Sequence, residues 1–255
     1  MTHTPHLLGP STWAQVRKHQ YEVAILPWGA TEAHNTHLPY ATDTIQAERI
    51  AEQSAALASA SGAKVLVLPA IPFGVQTGQR EVPFCINMNP TTQFMVLKDI
   101  ADTVARHGVG KLVLVNGHGG NEFRQMIREL QGVVSLLIAQ VNWYQCVDPT
   151  SFFDVPGDHA GELETSVMMH LAPDLVAPLE TAGPGTARPF AVRGFREGWA
   201  WTPRDWPSVT DDTGVGDPRA ATAAKGEAYV AAVVAQLSGF LVEFAATPND
   251  QLYQE

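Results

Sequence analysis

Short apolar runs alternate with longer amphipathic segments over the first two thirds of the chain. The runs occupy residues 21–27, 64–69, 111–115 and 133–141 and are rich in Val, Ile and Leu. Continuous apolar runs of this length are typical of strands that are buried on both faces of a parallel sheet. The segments between them have helical spacing, so the pattern predicts an α/β fold whose parallel sheet is covered by helices on both faces.

Glycines mark the ends of two predicted helices, at Gly62 and Gly108. The stretch 72–89 is rich in Gly, Pro and Asn and predicts a loop, with a ribbon at 82–88. Residues 173–218 predict irregular structure with short strands. The predicted helices occupy residues 13–19, 44–60, 90–107, 121–131, 162–171 and 218–246.

Composition narrows the class of protein. The chain has 255 residues, 45% of them apolar, and neither a repeat nor a clear linker, so we expect one domain over 1–255. Its net charge of −10, without a basic block, argues against nucleic-acid and anionic-membrane partners. The two cysteines, Cys85 and Cys146, form no CxxC motif, and no signal core or membrane-spanning run is evident. We therefore expect a reduced, cytoplasmic protein.

Three clusters of potential metal ligands follow predicted strands. One comes directly after 21–27, one after 111–115, and one in the segment after 133–141. Ligands of open α/β sheets bind outside the carboxyl ends of the strands, so these clusters should converge on one edge. Their members are Glu32, His34, His37 and Asp43; Asn116, His118 and Asn121; and His159, Glu162 and Glu164.

Taken singly, each cluster has a simpler explanation. Asp43 could cap the helix at 44–60, and His118 could be an exposed residue of a Gly-rich turn. Glu162 and Glu164 could merely complement the dipole of the helix that they begin. The convergence of all three clusters nevertheless favours metal ligation. The residues that it favours are Glu32, His34, Asp43 and His118, with His159 and Glu164 as further candidates.

These ligands are histidines and carboxylates without a thiolate. Such a set suits Zn²⁺, Mn²⁺ or Fe²⁺. A carboxylate such as Asp43 can bridge two cations about 3.5–4 Å apart, the spacing found in two-metal hydrolases. A further histidine could then move a proton to a leaving nitrogen.

Three motifs of this chain resemble those of the creatininase (creatinine amidohydrolase) family. They span about residues 20–175 and occur in the family's order. The motifs are Leu-Pro-Trp-Gly-Ala-Thr-Glu-Ala-His at 26–34 with His-Leu-Pro at 37–39 and Thr-Asp at 42–43, Val-Asn-Gly-His-Gly-Gly-Asn at 115–121, and His-Ala-Gly-Glu-Leu-Glu-Thr-Ser at 159–166. The resemblance implies a three-layer α/β/α fold, two divalent metal ions (Zn, Mn or Fe), frequently a homohexamer, and cleavage of non-peptide C–N bonds in cyclic amides or formamides.

The resemblance also implies roles for individual residues. Glu32, Asp43 and His118 match the ligands of one metal ion. His34 and Asp43 match two ligands of the second, with Asp43 as the bridge. His159 matches the catalytic histidine of the His-Ala-Gly motif.

One position departs from creatininase proper, which has a glutamate two residues after the histidine of Asn-Gly-His. This chain has Gly120 there, so another carboxylate must complete the second metal's shell. Glu164 is our candidate and Glu162 the alternative. Gly119 replaces a tyrosine that contacts the ring of creatinine, which argues against creatinine as substrate. The motif is more similar to the broader family, including a formamide hydrolase and a mycofactocin-precursor peptidase.

Residues outside the motifs extend the candidate site. Trp143 and Tyr144 could flank a planar substrate or could be a wall of the core, and Arg80 could pair with a substrate carboxylate or be a solvated loop residue. We expect a supporting rather than a ligating role for His37. Trp199, Trp201 and Trp206 are expected to form a packing or subunit contact, with a lid over the pocket as the alternative.

These observations predict a metal-dependent amidohydrolase that acts on a small molecule through a metal-activated water. A peptidase or deformylase that acts on a cofactor precursor is the alternative within enzymes. A metal-binding scaffold without turnover is the alternative outside them, because of the missing glutamate at position 120.

Overall fold

Four parallel strands form the central sheet of the computed structural model, which describes residues 5–253. Their order is β2-β1-β3-β4, and all three pairings are parallel. Trp28 pairs with Asn116, and Asn116 with Asn142, so three strands end level with one another. The predicted α/β fold with a parallel sheet is confirmed. The strands are β1 (Val23–Trp28), β2 (Val65–Val67), β3 (Lys111–Asn116) and β4 (Leu137–Asn142).

Helices connect and follow these strands. They are α1 (Trp13–Val16), α2 (Thr42–Ala60), α3 (Pro90–Arg106), α4 (Arg124–Leu130), α5 (Glu162–Leu171), α6 (Arg193–Arg196), α7 (Trp206–Val209) and α8 (Ala223–Ala246). The predicted bounds of α2, α3 and α5 agree with the structure to within two residues.

Hydrogen bonds explain three differences from the predicted elements. The fourth strand starts later than predicted because Val133 and Val134 donate to Leu130 O in a turn that ends α4. The last helix also starts later, since Thr222 Oγ1 accepts from the Lys225 amide and caps α8 there. The ribbon predicted at 82–88 is wrong, because that segment forms turns and docks on the loop after β1.

Alternation along the strands creates two cores. Val23 and Ile25 of β1 face one side of the sheet, where they pack with residues of α2, α5 and α8. Ala24 and Leu26 face the other side, where they pack with residues of α3 and α4. Successive strand residues point to opposite faces, so β1, β3 and β4 each supply both cores. The result is the three-layer α/β/α arrangement that the resemblance implied.

Helix α8 is the one described helix that is long and apolar enough to cross a membrane by length and composition. Core helices of proteins outside membranes also meet this criterion. Tyr229, Val233 and Leu237 of α8 are buried in the core that includes α2 and α5. This packing accounts for its apolar face.

The segment between α5 and α8 folds back over the edge where the strands end. Val215 exchanges backbone hydrogen bonds with His159. Oδ1 of Asn35, in the loop after β1, accepts from the Gly183 amide, and the backbone N–H of Asn35 donates to Thr213 Oγ1. The chain after α5 therefore covers the carboxyl edge of the sheet.

Candidate metal centre

Six potential ligands from four parts of the chain meet at the carboxyl edge of the sheet. The loop after β1 supplies two of them, the first turn of α2 one, the loop after β3 one, and the segment 159–164, which leads into α5, two. Five of the six are at most 7% exposed, and the sixth, Glu164, has a side chain that is 19% exposed. The six are Glu32, His34, Asp43, His118, His159 and Glu164.

Asp43 lies between two histidines and uses a different oxygen toward each. Its Oδ1 is 2.9 Å from Nε2 of His34, and its Oδ2 is 3.1 Å from Nδ1 of His118. Nδ1 of His118 is also 2.8 Å from Oε1 of Glu32. The alternative role of Asp43 as a helix cap is wrong, because α2 begins at Thr42 after the cap residue Ala41.

Backbone carbonyls hold one ring nitrogen of each histidine. Nδ1 of His34 donates to Glu32 O at 3.1 Å, and Nε2 of His118 donates to Val75 O at 2.9 Å. Nε2 of His159 donates to Ala33 O at 2.8 Å. The other nitrogen of each ring therefore faces the carboxylates, as in metal-ligating histidines whose second nitrogen is fixed by an outer partner.

The donor atoms form three overlapping groups, in each of which they lie within 4.8 Å of one another. Two groups share Asp43: one adds Glu32 and His118, and the other adds His34 and Glu164. Lone pairs of a carboxylate and a histidine that face each other at about 3 Å need a cation or a proton between them. This donor set therefore fits two divalent cations that share Asp43.

Burial and the charges inside the cluster shift the pKa values of its members strongly. Burial opposes protonation of His34, but the nearby carboxylates, Asp43 above all, raise its pKa to about 10. Burial alone would raise the pKa of Asp43, yet His34 and His118 hold it well below its ordinary value. Burial raises the pKa of Glu164, against the attraction of His34 and His159. Protons and divalent cations are therefore competing ways to neutralise the same buried carboxylates.

The structure brings Glu164 into the cluster and Glu162 away from it. Oε1 of Glu164 is 4.0 Å from Nε2 of His34, and its Oε2 accepts from the Ala160 amide. Ala160 has a φ of 51°, an uncommon left-handed conformation that directs its N–H toward this carboxylate. Glu162 instead accepts from Lys225 and from the Val155 amide.

Gly120 occupies a position with no room for a side chain. A Cβ built on it would lie 2.0 Å from Val75 O and 2.5 Å from Nε2 of His118. Both neighbours are fixed, because Nε2 of His118 donates to Val75 O. The glutamate of creatininase proper at this position is thus incompatible with the path of this backbone.

The remaining predicted site residues lie outside the ligand cluster. Trp143 is fully buried and packs against Tyr144 and Tyr229, which favours its alternative role as a wall of the core. Tyr144 is partly buried, and burial raises its pKa to about 12. Arg80 is exposed in the loop after β2. Asp43 and Glu164 add to the rise in the pKa of Tyr144 through their charge, so the Tyr144 hydroxyl is within electrostatic range of the cluster, whereas Arg80 and Trp143 have no described contact with the six residues.

His37 is buried beside the cluster without joining the ligand groups. Its Nε2 is 2.8 Å from the Thr165 hydroxyl, which joins the loop after β1 to α5. Burial and the neighbouring His34 lower the pKa of His37 to about 4, so its ring is neutral. These contacts agree with the supporting role expected for it.

Two contacts to the cluster had no motif that could reveal them. Nε2 of Gln79 donates to Oε2 of Glu32 at 2.5 Å. The ring of Trp206 meets that of His159 edge-on, with 5.2 Å between the centroids. The sequence places Gln79 in a loop at the correct edge and Trp206 in an aromatic-rich segment, but neither residue type indicates its partner.

Comparison with known proteins gives one family. A family model described as creatinine amidohydrolase matches residues 10–241. A mycofactocin precursor peptide peptidase of Mycobacterium tuberculosis (strain CDC 1551 / Oshkosh) is 32% identical over 238 residues, which are 89% of this chain and 87% of that protein. A creatinine amidohydrolase of Pseudomonas putida is 29% identical over 180 residues, 60% of this chain and 66% of that one.

Solved structures show the same fold. A protein of Bacteroides fragilis NCTC 9343, provisionally described as a creatinine amidohydrolase, is 46% identical and superposes with a TM-score of 0.94 over 99% of this chain and 100% of that one. A structure described as the manganese form of creatininase is 25% identical and superposes with a TM-score of 0.76 over 94% of this chain and 98% of that one.

Proposed function

The chain belongs to the creatininase family of hydrolases, and on this premise we propose that it is an amidohydrolase that uses two divalent cations to cleave a non-peptide C–N bond of a small molecule, a cyclic amide or a formamide. The observation that carries the proposal is the position of Asp43. Its two oxygens face His34 and His118 separately, and each histidine has its other nitrogen held by a backbone carbonyl.

Two sets of side chains would hold the cations. Glu32, Asp43 and His118 would hold one, and His34, Asp43 and Glu164 would hold the other. When bound, cations of this kind activate water as a nucleophile at neutral pH and act as Lewis acids toward a carbonyl group. Zinc, manganese and iron all suit these ligands. The manganese form of creatininase supports the use of divalent metal within the family.

His159 is the proposed proton donor. Its Nε2 donates to Ala33 O, so Nδ1 faces the cluster, 3.8 Å from Oε1 of Glu32. In this orientation Nδ1 can take a proton from the nucleophile side and deliver it to a leaving nitrogen. Trp206 packs edge-on against the ring, with 5.2 Å between the centroids. The ring of His34 lies 4.2 Å from that of His159, so the proton donor and the ligands form one compact group.

A peptidase that acts on a cofactor precursor is the second candidate, with a deformylase in the same class. The observation in its favour is the extent of the match to the mycofactocin precursor peptide peptidase, which covers 89% of this chain, against 60% for the creatinine amidohydrolase.

A metal-binding scaffold without turnover is the third candidate function. The position of Glu164 in the cluster argues against it, because this carboxylate can replace the one missing at position 120.

Assembly and location complete the proposal. We propose a homo-oligomer, a hexamer by family resemblance, because Trp199 and Trp201 are 71% and 84% exposed and large aromatic side chains favour interfaces. Light scattering of the purified protein would measure the number of subunits.

We propose a cytoplasmic location because both cysteines are free thiols. Fractionation of the source cells would test it.

One experiment tests the proposed function. The protein would be stripped of metal, reloaded separately with Zn²⁺, Mn²⁺ or Fe²⁺, and assayed on lactams, formamides and short peptides. We expect turnover of a lactam or formamide only with metal restored. Cleavage of peptides alone would favour the second candidate. Two bound metals per chain without hydrolysis of any substrate would favour the scaffold. An Asp43→Ala variant should lose metal and activity together, and its retention of both would contradict the assignment.

A further inference from the structure

We propose that Gln79 is a positioning residue for the metal centre, which fixes the Glu32 carboxylate so that one oxygen faces the cations, and that the Cys85 thiol holds Gln79 in place. This inference rests on the proposed function, because it takes Glu32 as a ligand. It assigns a role to the loop after β2, which contains none of the family motifs quoted above.

The two oxygens of Glu32 have separate environments. Oε1 lies 2.8 Å from Nδ1 of His118, inside the ligand cluster. Oε2 accepts from Nε2 of Gln79 at 2.5 Å, and this is the one hydrogen bond that it receives from residues 5–253. Both side chains are at most 4% exposed, so water does not compete for Oε2. The amide of Gln79 therefore decides which oxygen of Glu32 is available to a cation.

Cys85 fixes the far end of Gln79. The thiol donates to Oε1 of Gln79 at 3.2 Å, and its sulfur accepts from the Ala33 amide at 3.2 Å. Burial raises the pKa of this thiol, so it remains an S–H donor at neutral pH. The hydrogen bonds form a directed series from the Ala33 amide through Cys85 and Gln79 to Glu32. The series begins and ends on adjacent residues of the loop after β1.

The series requires one orientation of the Gln79 carboxamide. In the opposite orientation, Oε1 of Gln79 would face the Glu32 carboxylate, and two acceptors would meet without a proton between them. The carboxamide has to present its NH₂ to Glu32 and its oxygen to the Cys85 thiol. A glutamine whose side-chain oxygen accepts from a neighbouring donor, here the Cys85 thiol, satisfies this requirement. A methionine of similar length has no donor to offer.

The turn that bears Gln79 is also held from outside. Residues Thr77–Gln79 form a 3-10 turn, and a Cβ built on Gly78 would lie 2.0 Å from Arg204 O. Arg204 lies two residues before the short helix α7, whose Trp206 packs on His159. The segment between α5 and α8 therefore lies directly against the turn that bears Gln79. Partners that fix a metal ligand from outside are commonly worth about 10- to 100-fold in metal affinity.

The first test measures Zn²⁺ affinity of the full-length, metal-free protein by competition with a chromophoric chelator. A Gln79→Met variant is compared with Gln76→Met, because Gln76 is a buried glutamine of the same loop that donates to Thr31 O. We expect Gln79→Met to weaken Zn²⁺ binding about 10- to 100-fold while Gln76→Met stays near wild type. Thermal unfolding of the metal-free variants distinguishes this specific loss of Zn²⁺ affinity from a general loss of stability. A general loss of stability would lower the Zn²⁺ affinity of both variants alike.

The second test uses the thiol. Cys85→Ala removes the donor to Gln79, whereas Cys85→Ser keeps a group that both donates and accepts. We expect the alanine variant to bind Zn²⁺ more weakly than wild type and the serine variant to recover most of the difference. Equal affinities of Gln79→Met and wild type, or equal losses in both Cys85 variants, would overturn the positioning role. Failure of the wild type itself to bind Zn²⁺ would overturn the proposed function as well.

Discussion

Oε1 of Glu164 lies 4.0 Å from Nε2 of His34, although the two residues belong to motifs that are far apart in the chain. Glu162 begins the same helix but accepts a hydrogen bond from Lys225 instead. The two glutamates are two positions apart, so they point to nearly opposite sides of α5. One side faces His34, and the other faces α8.

The two glutamates should respond differently to removal of their charge. Glu164→Gln should reduce the metal content from two ions per chain toward one and lower activity, because it weakens only the group with His34 and Asp43. Glu162→Gln is the matched control and should keep both metals. Elemental analysis of the purified variants measures the result. Equal metal content in the two variants would contradict the proposed second ligand set.

A glutamate placed at position 120 should not restore the second metal. Gly120→Glu added to Glu164→Gln introduces the residue of creatininase proper, but its Cβ would meet Val75 O at 2.0 Å. We expect the double variant to bind metal no better than Glu164→Gln and to unfold at a lower temperature. Elemental analysis and calorimetry test this. Recovery of two metals would show that the backbone around His118 can shift more easily than the packing indicates.

Loss of His159 should separate catalysis from metal binding. His159→Ala removes the proposed proton donor but leaves both groups that share Asp43. Turnover should fall by roughly 10²–10⁴, the usual contribution of acid–base catalysis. Steady-state kinetics on the best substrate and metal analysis of the same sample measure both properties. Loss of metal in this variant would instead indicate that His159 is a ligand, as its proximity to Glu32 and His34 permits.

Metal binding should strengthen as the pH rises. The pKa of His34 is raised to about 10 in the metal-free protein, and a cation needs the unprotonated Nε2. Binding should therefore release protons, and the apparent affinity should rise across the neutral and alkaline range. Isothermal titration calorimetry in buffers of different ionisation enthalpy counts the protons released. A pH-independent affinity with no proton release would contradict the electrostatics described for the cluster.

The same titration affects the stability of the metal-free protein. A histidine with a raised folded-state pKa stabilises the protein fully below its ordinary pKa of 6.5 and loses that contribution as pH rises toward about 10. We therefore expect the melting temperature of the metal-free protein to fall between these pH values. The metal-loaded protein should show less of this decline, because the cation replaces the proton. Calorimetric scans of both forms measure the difference.

A charged residue far from the centre should affect stability alone. Lys111, at the start of β3, is buried and donates from Nζ to the carbonyls of Phe244 and Thr247 at the end of α8. Lys111→Met should lower the free energy of unfolding by roughly 1–3 kcal/mol, because those carbonyls lose a buried donor. Zn²⁺ affinity should stay at the wild-type value. Chemical denaturation measures the first quantity and chelator competition the second.

Much of the fold follows from short-range features of the sequence. The four apolar runs identify the strands because residues buried on both faces must be apolar at successive positions. The start of α3 after Asn89 and the end of α2 before Gly62 also follow from local chemistry. The late start of β4 depends on a local turn closed on Leu130 O, which the apolar run 133–141 does not indicate. The absence of a ribbon at 82–88 depends on a distant segment, because the Ile86 amide donates to Thr31 O in the loop after β1.

The sequence by itself determined the parallel α/β fold, the family, and the three clusters of potential ligands at one edge of the sheet. Each depends on residue type and order near a strand end, which local physical chemistry controls. Only the tertiary structure decided that Glu164 rather than Glu162 reaches His34, that Gly120 has no space for a side chain, and that Gln79 binds Glu32. These relationships arise where distant segments pack together, and their distances depend on the positions of whole helices and loops.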